Sequence, residues 1–185
     1  MQDYITFYDD PFKEEKIDGE IYLMAAPCNE HIDVQENINM IFNNYFRQNK
    51  KRCISRSEAS LYINENNYFE PDIMVFCYNT DRNIPLIVIE VLSKSTRDLD
   101  LGKKMKKYAE IGIKEYWIVT WEIFAIDIYL LSDDKKYEHY KSYAYSKCEK
   151  FKRKFDEKTE VVKEFSPVSM PELTVRLEDV FYFVE

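Results

Sequence analysis

The apolar positions of this chain fall into runs whose period changes several times along its length. Two short extended runs, Glu15–Ile17 and Glu20–Ala25, flank Asp18-Gly19, a dipeptide suited to a tight hairpin turn. Over Asn29–Lys50 the period becomes helical, with Ile38, Ile41, Phe42, Tyr45 and Phe46 on one stripe. Cys53–Ile63 and Tyr68–Tyr78 predict strands joined by the turn-prone Asn64-Glu65-Asn66-Asn67. Ile84–Leu92 is a nearly unbroken apolar run rich in β-branched residues, as expected for a central strand buried on both faces.

Asp98–Ile111 predicts a second helix, with an apolar stripe at Leu101, Met105 and Tyr108 and a stop at Gly112. Lys114–Thr120 and Phe124–Leu131 predict two further strands, and Lys135–Tyr145 an edge strand. Ser146–Phe165 is charged and poorly patterned, and Leu173–Phe183 predicts a closing strand and a short helical turn. Helices that alternate with groups of strands predict an α/β (α+β) fold, a mixed β-sheet flanked by helices. The whole chain, residues 1–185, reads as a single domain.

Composition narrows the function classes. With 12 Phe and 15 Tyr there is ample material for a core, and no stretch is long and apolar enough to span a membrane. Met1–Asp10 carries acidic residues and no apolar run, so it does not read as a signal peptide. The expected location is the cytoplasm. Cys28, Cys53, Cys77 and Cys148 stand far apart without a CxxC pair, and are expected as reduced thiols. Only two histidines occur, which argues against a His/Cys zinc site. A net charge of −8 argues against a protein that coats nucleic acid through bulk electrostatics. Two basic runs, Arg47 to Arg56 and Lys103 to Lys107, read as solvated faces.

The chemistry lies in acids on apolar strands. Glu90 ends Leu86-Ile87-Val88-Ile89, and Asp72 sits in Pro71-Asp72-Ile73-Met74-Val75. An ionised carboxylate in such a run is costly unless paired. Either acid alone reads as a loop cap or a lysine partner. Two on neighbouring strands would repel each other, and a divalent cation resolves the conflict, because Mg²⁺ takes one or two carboxylates plus waters and phosphates. On the second helix Lys104 lies at the border of the apolar stripe, the lysine best placed to look back at the sheet. A lysine that covers the core edge with its stem fits the same position.

These residues resemble an ordered set found in the Uma-two family, a PD-(D/E)xK branch of restriction-endonuclease type. The matching pieces are Asp18-Gly19-Glu20, His31, Pro71-Asp72, then Ile89-Glu90-Val91-Leu92-Ser93 with Ser95-Thr96, then Asp100, Lys104, Tyr108 and Gly112-Ile113-Lys114-Glu115-Tyr116-Trp117. The resemblance implies a restriction-endonuclease-like core with Asp72 and Glu90 as metal-binding acids. The usual motif lysine, two residues after the second acid, is replaced by Leu92; Lys104 occupies the position to which the family has moved it. Glu20 matches a recurrent family acid, implied as an accessory ligand or support. Thr120 stands where the family often has Asp. His31 is expected as a surface or capping group rather than a phosphate contact, Tyr116 and Trp117 as core, and Ser93, Ser95 and Thr96 as caps of the second helix.

The function so implied is Mg²⁺- or Mn²⁺-dependent hydrolysis of DNA phosphodiester bonds, with DNA as partner and a homodimer to cut both strands. The alternative is an inactive nuclease-fold module that binds nucleic acid or protein, which the acidic charge and the displaced lysine favour. A glycosidase-like carboxylate pair would leave Lys104 without a role.

Overall fold

The structure is a computed structural model, which describes residues 14–78, 84–93, 96–145 and 159–184. Met1–Asp10, Ser95, Cys148 and positions 146–158 of the charged segment lie outside the described residues. Strands β1 (Glu14–Ile17) and β2 (Glu20–Leu23) form the expected hairpin. Asp18 and Gly19 both adopt positive φ, 51° and 86°, which is the geometry a two-residue turn needs to follow the strand twist. Helix α1 (Asn29–Gln48) comes next, burying Val34, Ile38, Phe42 and Phe46 along one face.

The two long strands expected after it are each broken in two. Cys53–Ile63 becomes β3 (Cys53–Ser57) and β4 (Leu61–Asn64), and Tyr68–Tyr78 becomes β5 (Asn67–Phe69) and β6 (Ile73–Cys77). Glu58 turns the first at φ 49°. Pro71, which has no N–H to give a ladder, lies in the second break. The reason is topological. β4 and β5 leave the large sheet and join the β1–β2 hairpin in a four-stranded sheet of order β2-β1-β5-β4.

The large sheet is completed by β7 (Ile87–Val91), β8 (Glu115–Thr120), β9 (Ala125–Leu131), β10 (Tyr137–Tyr145) and β11 (Thr159–Val162), in the order β11-β10-β9-β8-β7-β6-β3. β7 pairs with β8 in parallel, as does β10 with β11, and the other pairs are antiparallel. β10 is therefore not an edge strand: β11, from the poorly patterned segment, covers it. A small ribbon of β12 (Glu164–Phe165) and β13 (Val175–Arg176), then α4 (Leu177–Val180), closes the chain.

Alternation along the central strands sorts the core into two layers. Ile73, Val75, Ile87, Ile89, Val91, Trp117 and Val119 face α1 and the closing segment. Met74, Phe76, Val88, Leu92, Tyr116 and Ile118 face the small sheet and the second helical region. Tyr116 and Trp117 are fully buried, as expected of core residues. Glu115 is buried too. Its carboxylate accepts from Trp117 Nε1 at 2.7 Å and from the backbone N–H of Ser169 at 2.6 Å and Val168 at 3.3 Å, which ties the closing segment to the sheet.

The second helix is irregular. It runs as α2 (Arg97–Leu99), a π-helical segment Asp100–Lys104, and α3 (Met105–Ile111). A π turn holds an extra residue, so it rotates the later residues relative to a regular α-helix. Leu101, expected on the apolar stripe, is 37% exposed, while Asp100 and Lys104, one turn apart, face inward and are buried. Gly112 ends α3 at φ 92°, with Ile113 N–H returning to the Tyr108 carbonyl. At the front, Ser93 Oγ accepts from the Thr96 N–H at 3.2 Å, while Thr96 makes no side-chain cap.

The cysteine expectation is corrected. Cys53 and Cys77 lie opposite each other on β3 and β6 and are joined by a disulfide. They stand 24 residues apart, a pairing that only the strand register reveals. Cys28 is free and exposed.

Candidate active site

Asp72 and Glu90 meet because of strand register. The β6–β7 ladder pairs Ile73 with Ile89 and Met74 with Val88, which sets Asp72 opposite Glu90 at the next position. Each carboxylate accepts from the other strand: the Asp72 N–H reaches Glu90 Oε2 at 3.3 Å, and the Val91 N–H reaches Asp72 Oδ2 at 2.7 Å. Both acids are buried on the face that looks toward the second helix.

Lys104 comes to them from the π segment. Its Nζ lies 2.8 Å from Glu90 Oε1, 3.0 Å from Glu15 Oε1 and 3.0 Å from Asp100 Oδ1, and the residue is only 1% exposed. Tyr108 donates its hydroxyl to Glu90 Oε1 at 2.8 Å. A lysine so deeply placed would ordinarily lose its proton to burial; here the surrounding carboxylates, Glu90 foremost, outweigh burial and hold its pKa well above the usual value. Glu90 is pushed well above the carboxylate range, first by burial and then by Asp100, Asp72 and Glu15, with Lys104 opposing. Burial and the Glu90 charge likewise raise Tyr108.

His31, expected at the surface, is buried instead. It sits in the first turn of α1 with Nε2 3.2 Å from Asp72 Oδ1. With Glu90, Asp72, Asp100 and Lys104 it lines a cavity of about 450 Å³. The cavity is also lined by the β2–α1 connection, from Met24 to Cys28, and by Trp121 and Glu122 just after β8. Thus Asp72, Glu90 and Lys104 share one cavity, as their sequence context predicts. Glu20 is not among the residues that line it. Its exposed carboxylate accepts from Tyr22 Oη at 2.6 Å and Lys103 Nζ at 2.8 Å.

Glu15 takes the inner place that sequence reasoning gave to Glu20. It is fully buried behind Lys104, accepts from the Glu70 N–H at 2.9 Å, and leaves Oε2 without a hydrogen-bond partner. The signal was present: Glu15 shares the inward side of β1 with Ile17, so an acid occupied an apolar alternation. Among the described residues, Glu15, Asp72, Glu90 and Asp100 are four buried carboxylates against one buried lysine, an excess of negative charge.

Hard oxygen donors with excess negative charge suit Mg²⁺ or Mn²⁺ better than a soft or imidazole-seeking metal. Glu90 Oε1 is taken by Lys104 and Tyr108, but Oε2 accepts one long contact, from the Asp72 N–H at 3.3 Å, and has a second lone pair to give. Asp72 brings its carboxylate to the same cavity. The donor set therefore fits one hard ion held by two carboxylates. Among the described residues no group of three or more His, Cys, Asp or Glu is arranged to enclose a metal, so waters and substrate oxygens would have to complete the shell.

Comparison with known proteins gives this geometry a family. Residues 1–150 match the model of the Uma2 family, described as "Putative restriction endonuclease". The chain belongs to the Uma2 family. The uncharacterized protein slr1290 of Synechocystis sp. is 32% identical over 130 residues, covering 66% of this chain and 68% of that protein. A crystal structure described as a "putative nuclease belonging to DUF820" from Anabaena variabilis superposes with a TM-score of 0.65, covering 91% of this chain and 89% of that one. At 19% identity that likeness is one of fold. For this Uma2 chain it supports a mixed sheet flanked by helices. Restriction-endonuclease-like families generally use divalent metals. No helix among the described residues is long and apolar enough to cross a membrane.

Proposed function

We propose that this chain is a divalent-metal-dependent endonuclease that hydrolyses DNA phosphodiester bonds. The observation that carries the reading is the opposition of Asp72 and Glu90 across β6 and β7, at a cavity also lined by Lys104. Asp72 and Glu90 would hold Mg²⁺ or Mn²⁺. A bound ion would polarise the scissile phosphate and lower the pKa of an attacking water. Lys104 keeps Glu90 oriented and balances its charge, a role that fits its depth behind the carboxylates better than direct contact with the phosphate. Glu15 and Asp100 hold Lys104 from its other sides. His31 fixes one oxygen of Asp72, and the Val91 N–H fixes the other.

A second reading, a non-cleaving DNA- or protein-binding module, is favoured by one observation: Lys104 is fully engaged by three carboxylates and none of its charge is left for a transition state. One experiment separates the two. Wild type and Glu90→Gln, purified identically, are incubated with DNA in Mn²⁺, in Mg²⁺ and in chelator. Cleavage by wild type alone, stopped by chelator, is expected. Binding without cleavage, equal in both proteins, would put the second reading in front. A DNA substrate implies activity in the cytoplasm, where the Cys53–Cys77 bond would stand against a reducing pool.

A further inference from the structure

A second depression adjoins the acid cavity. It has a volume of about 320 Å³ and shares Met24, Ala25 and Thr96 with its neighbour, so the two depressions lie side by side across a common wall. Its own walls differ in kind. They are Tyr22 and Leu23 from β2 and Leu99 from α2, with Lys103 at one side. Leu23 is 74% exposed, an apolar side chain with little to cover it. Lys103 lies over the Tyr22 ring, 5.2 Å from its centroid, and its Nζ contacts Tyr22 Oη at 2.5 Å. The acid cavity is built from carboxylates around a lysine; this depression is built from an aromatic edge, two leucines and one cation.

We infer that this depression is a nucleobase subsite, and that the substrate of the acid cavity is an unpaired DNA strand. The inference rests on the nuclease reading and names its substrate class. A strand with its phosphate at Asp72 and Glu90 would cross the common wall of Met24, Ala25 and Thr96, beyond which the apolar side chains of Leu23 and Leu99 suit the flat face of an unstacked base. Lys103, whose exposed ion pair with Glu20 is readily exchanged, supplies the cation for the next phosphate, while Asp98, also in the wall, disfavours phosphate and biases which end of the nucleotide enters. A base that is paired and stacked in a duplex cannot enter such a depression without leaving its helix. The charge pattern agrees. A duplex groove needs a broad run of cations, and among the described residues lining the two depressions Lys103, paired with Glu20, is the one exposed cation. An unpaired strand needs one cut, so this chemistry does not require two copies of the chain.

The test uses the full chain and the exposed Leu23. Cleavage is measured with Mn²⁺ on single-stranded oligonucleotide, blunt duplex, and duplex with an unpaired overhang, for wild type and Leu23→Asp. In parallel, binding of labelled oligothymidylate is measured in chelator for both proteins. Wild type should cut single strands and overhangs at least about tenfold faster than blunt duplex, the scale of losing one base-stacking contact. Leu23→Asp should lower that cleavage and the oligothymidylate affinity by a similar factor, with an unchanged thermal midpoint. Equal rates on duplex and single strand, or equal binding by both proteins, would overturn the subsite while leaving the nuclease reading intact. If no substrate is cut, the nuclease reading falls, and the binding measurement alone then decides the subsite.

Discussion

Asp72 and Glu90 each accept a hydrogen bond from the strand that carries the other, so neither carboxylate can turn without breaking a contact between the two strands. The two acids are locked by the backbone of β6 and β7, and their separation is set by strand pairing rather than by loop conformation. That rigidity suits a site that must hold an ion of fixed coordination geometry.

Glu90→Gln should therefore leave the fold intact and remove activity. The amide can still accept from the Asp72 N–H or Tyr108 Oη, but it carries no charge for an ion. DNA cleavage is expected to fall to the level seen in chelator, with a thermal midpoint close to that of wild type. Asp72→Asn should behave in the same way.

Lys104→Met should act on stability first. It removes the cation that pairs with Glu15, Glu90 and Asp100, all of them buried. Removing one partner of a buried ion pair typically costs about 3–5 kcal/mol, and the expected result in urea unfolding is a loss on that scale. Adding Glu15→Gln to this variant should recover part of the loss, because one fewer uncompensated charge is then buried.

The same cluster predicts a pH dependence. Glu90 holds its proton more tightly folded than unfolded, because burial and its neighbouring acids raise its pKa. Its contribution is fully present below the ordinary glutamate value, about 4.3, and is lost as pH rises through the raised folded value. Lys104, also raised in the folded state, contributes stability that is present below about 10.4 and is lost only as pH rises through its higher folded value. Urea unfolding of wild type and Glu90→Gln in chelator, across about pH 5 to pH 8, should show stability falling with pH more steeply in wild type. Parallel curves would contradict the assignment.

Reduction of Cys53–Cys77 should lower stability by about 3 kcal/mol, the scale for closing a loop of this length. Intact mass before and after reduction and alkylation measures the bond, and unfolding with and without reductant measures its effect. Cys53→Ser should match the reduced wild type.

Much of this was legible in the chain. Asp72, Glu90 and Lys104 could be picked out because each interrupts or borders an apolar run, and an ionisable group in such a place needs a partner. The helix α1, the hairpin at Asp18-Gly19 and the central strand β7 emerge from periodicity and turn chemistry alone. The hidden part depends on which strands are neighbours. Glu15 is buried by a second sheet that exists only once β4 and β5 leave the first. The Cys53–Cys77 bond needs the β3–β6 register. His31 is drawn inward by an acid on a strand far along the chain. Glu20, the acid favoured by sequence, stands one hairpin turn away from Glu15, the acid buried against Lys104.

The π segment has a consequence at the level of the gene. The helix carries one residue more than an α-helical path between Leu99 and Met105 would hold, and Asp100 and Lys104 stand at the two ends of that segment, both turned inward. Gly102, whose added methyl group would meet nothing within 4 Å, is the natural place to lose it. Removing that single codon would shorten the segment by one residue and change the spacing of Asp100 and Lys104 from i,i+4 to i,i+3, and with it the angle at which the lysine meets its acids. A lineage could thus retune the grip of Lys104 on its acids by losing one triplet, without altering any of the residues that compose the site.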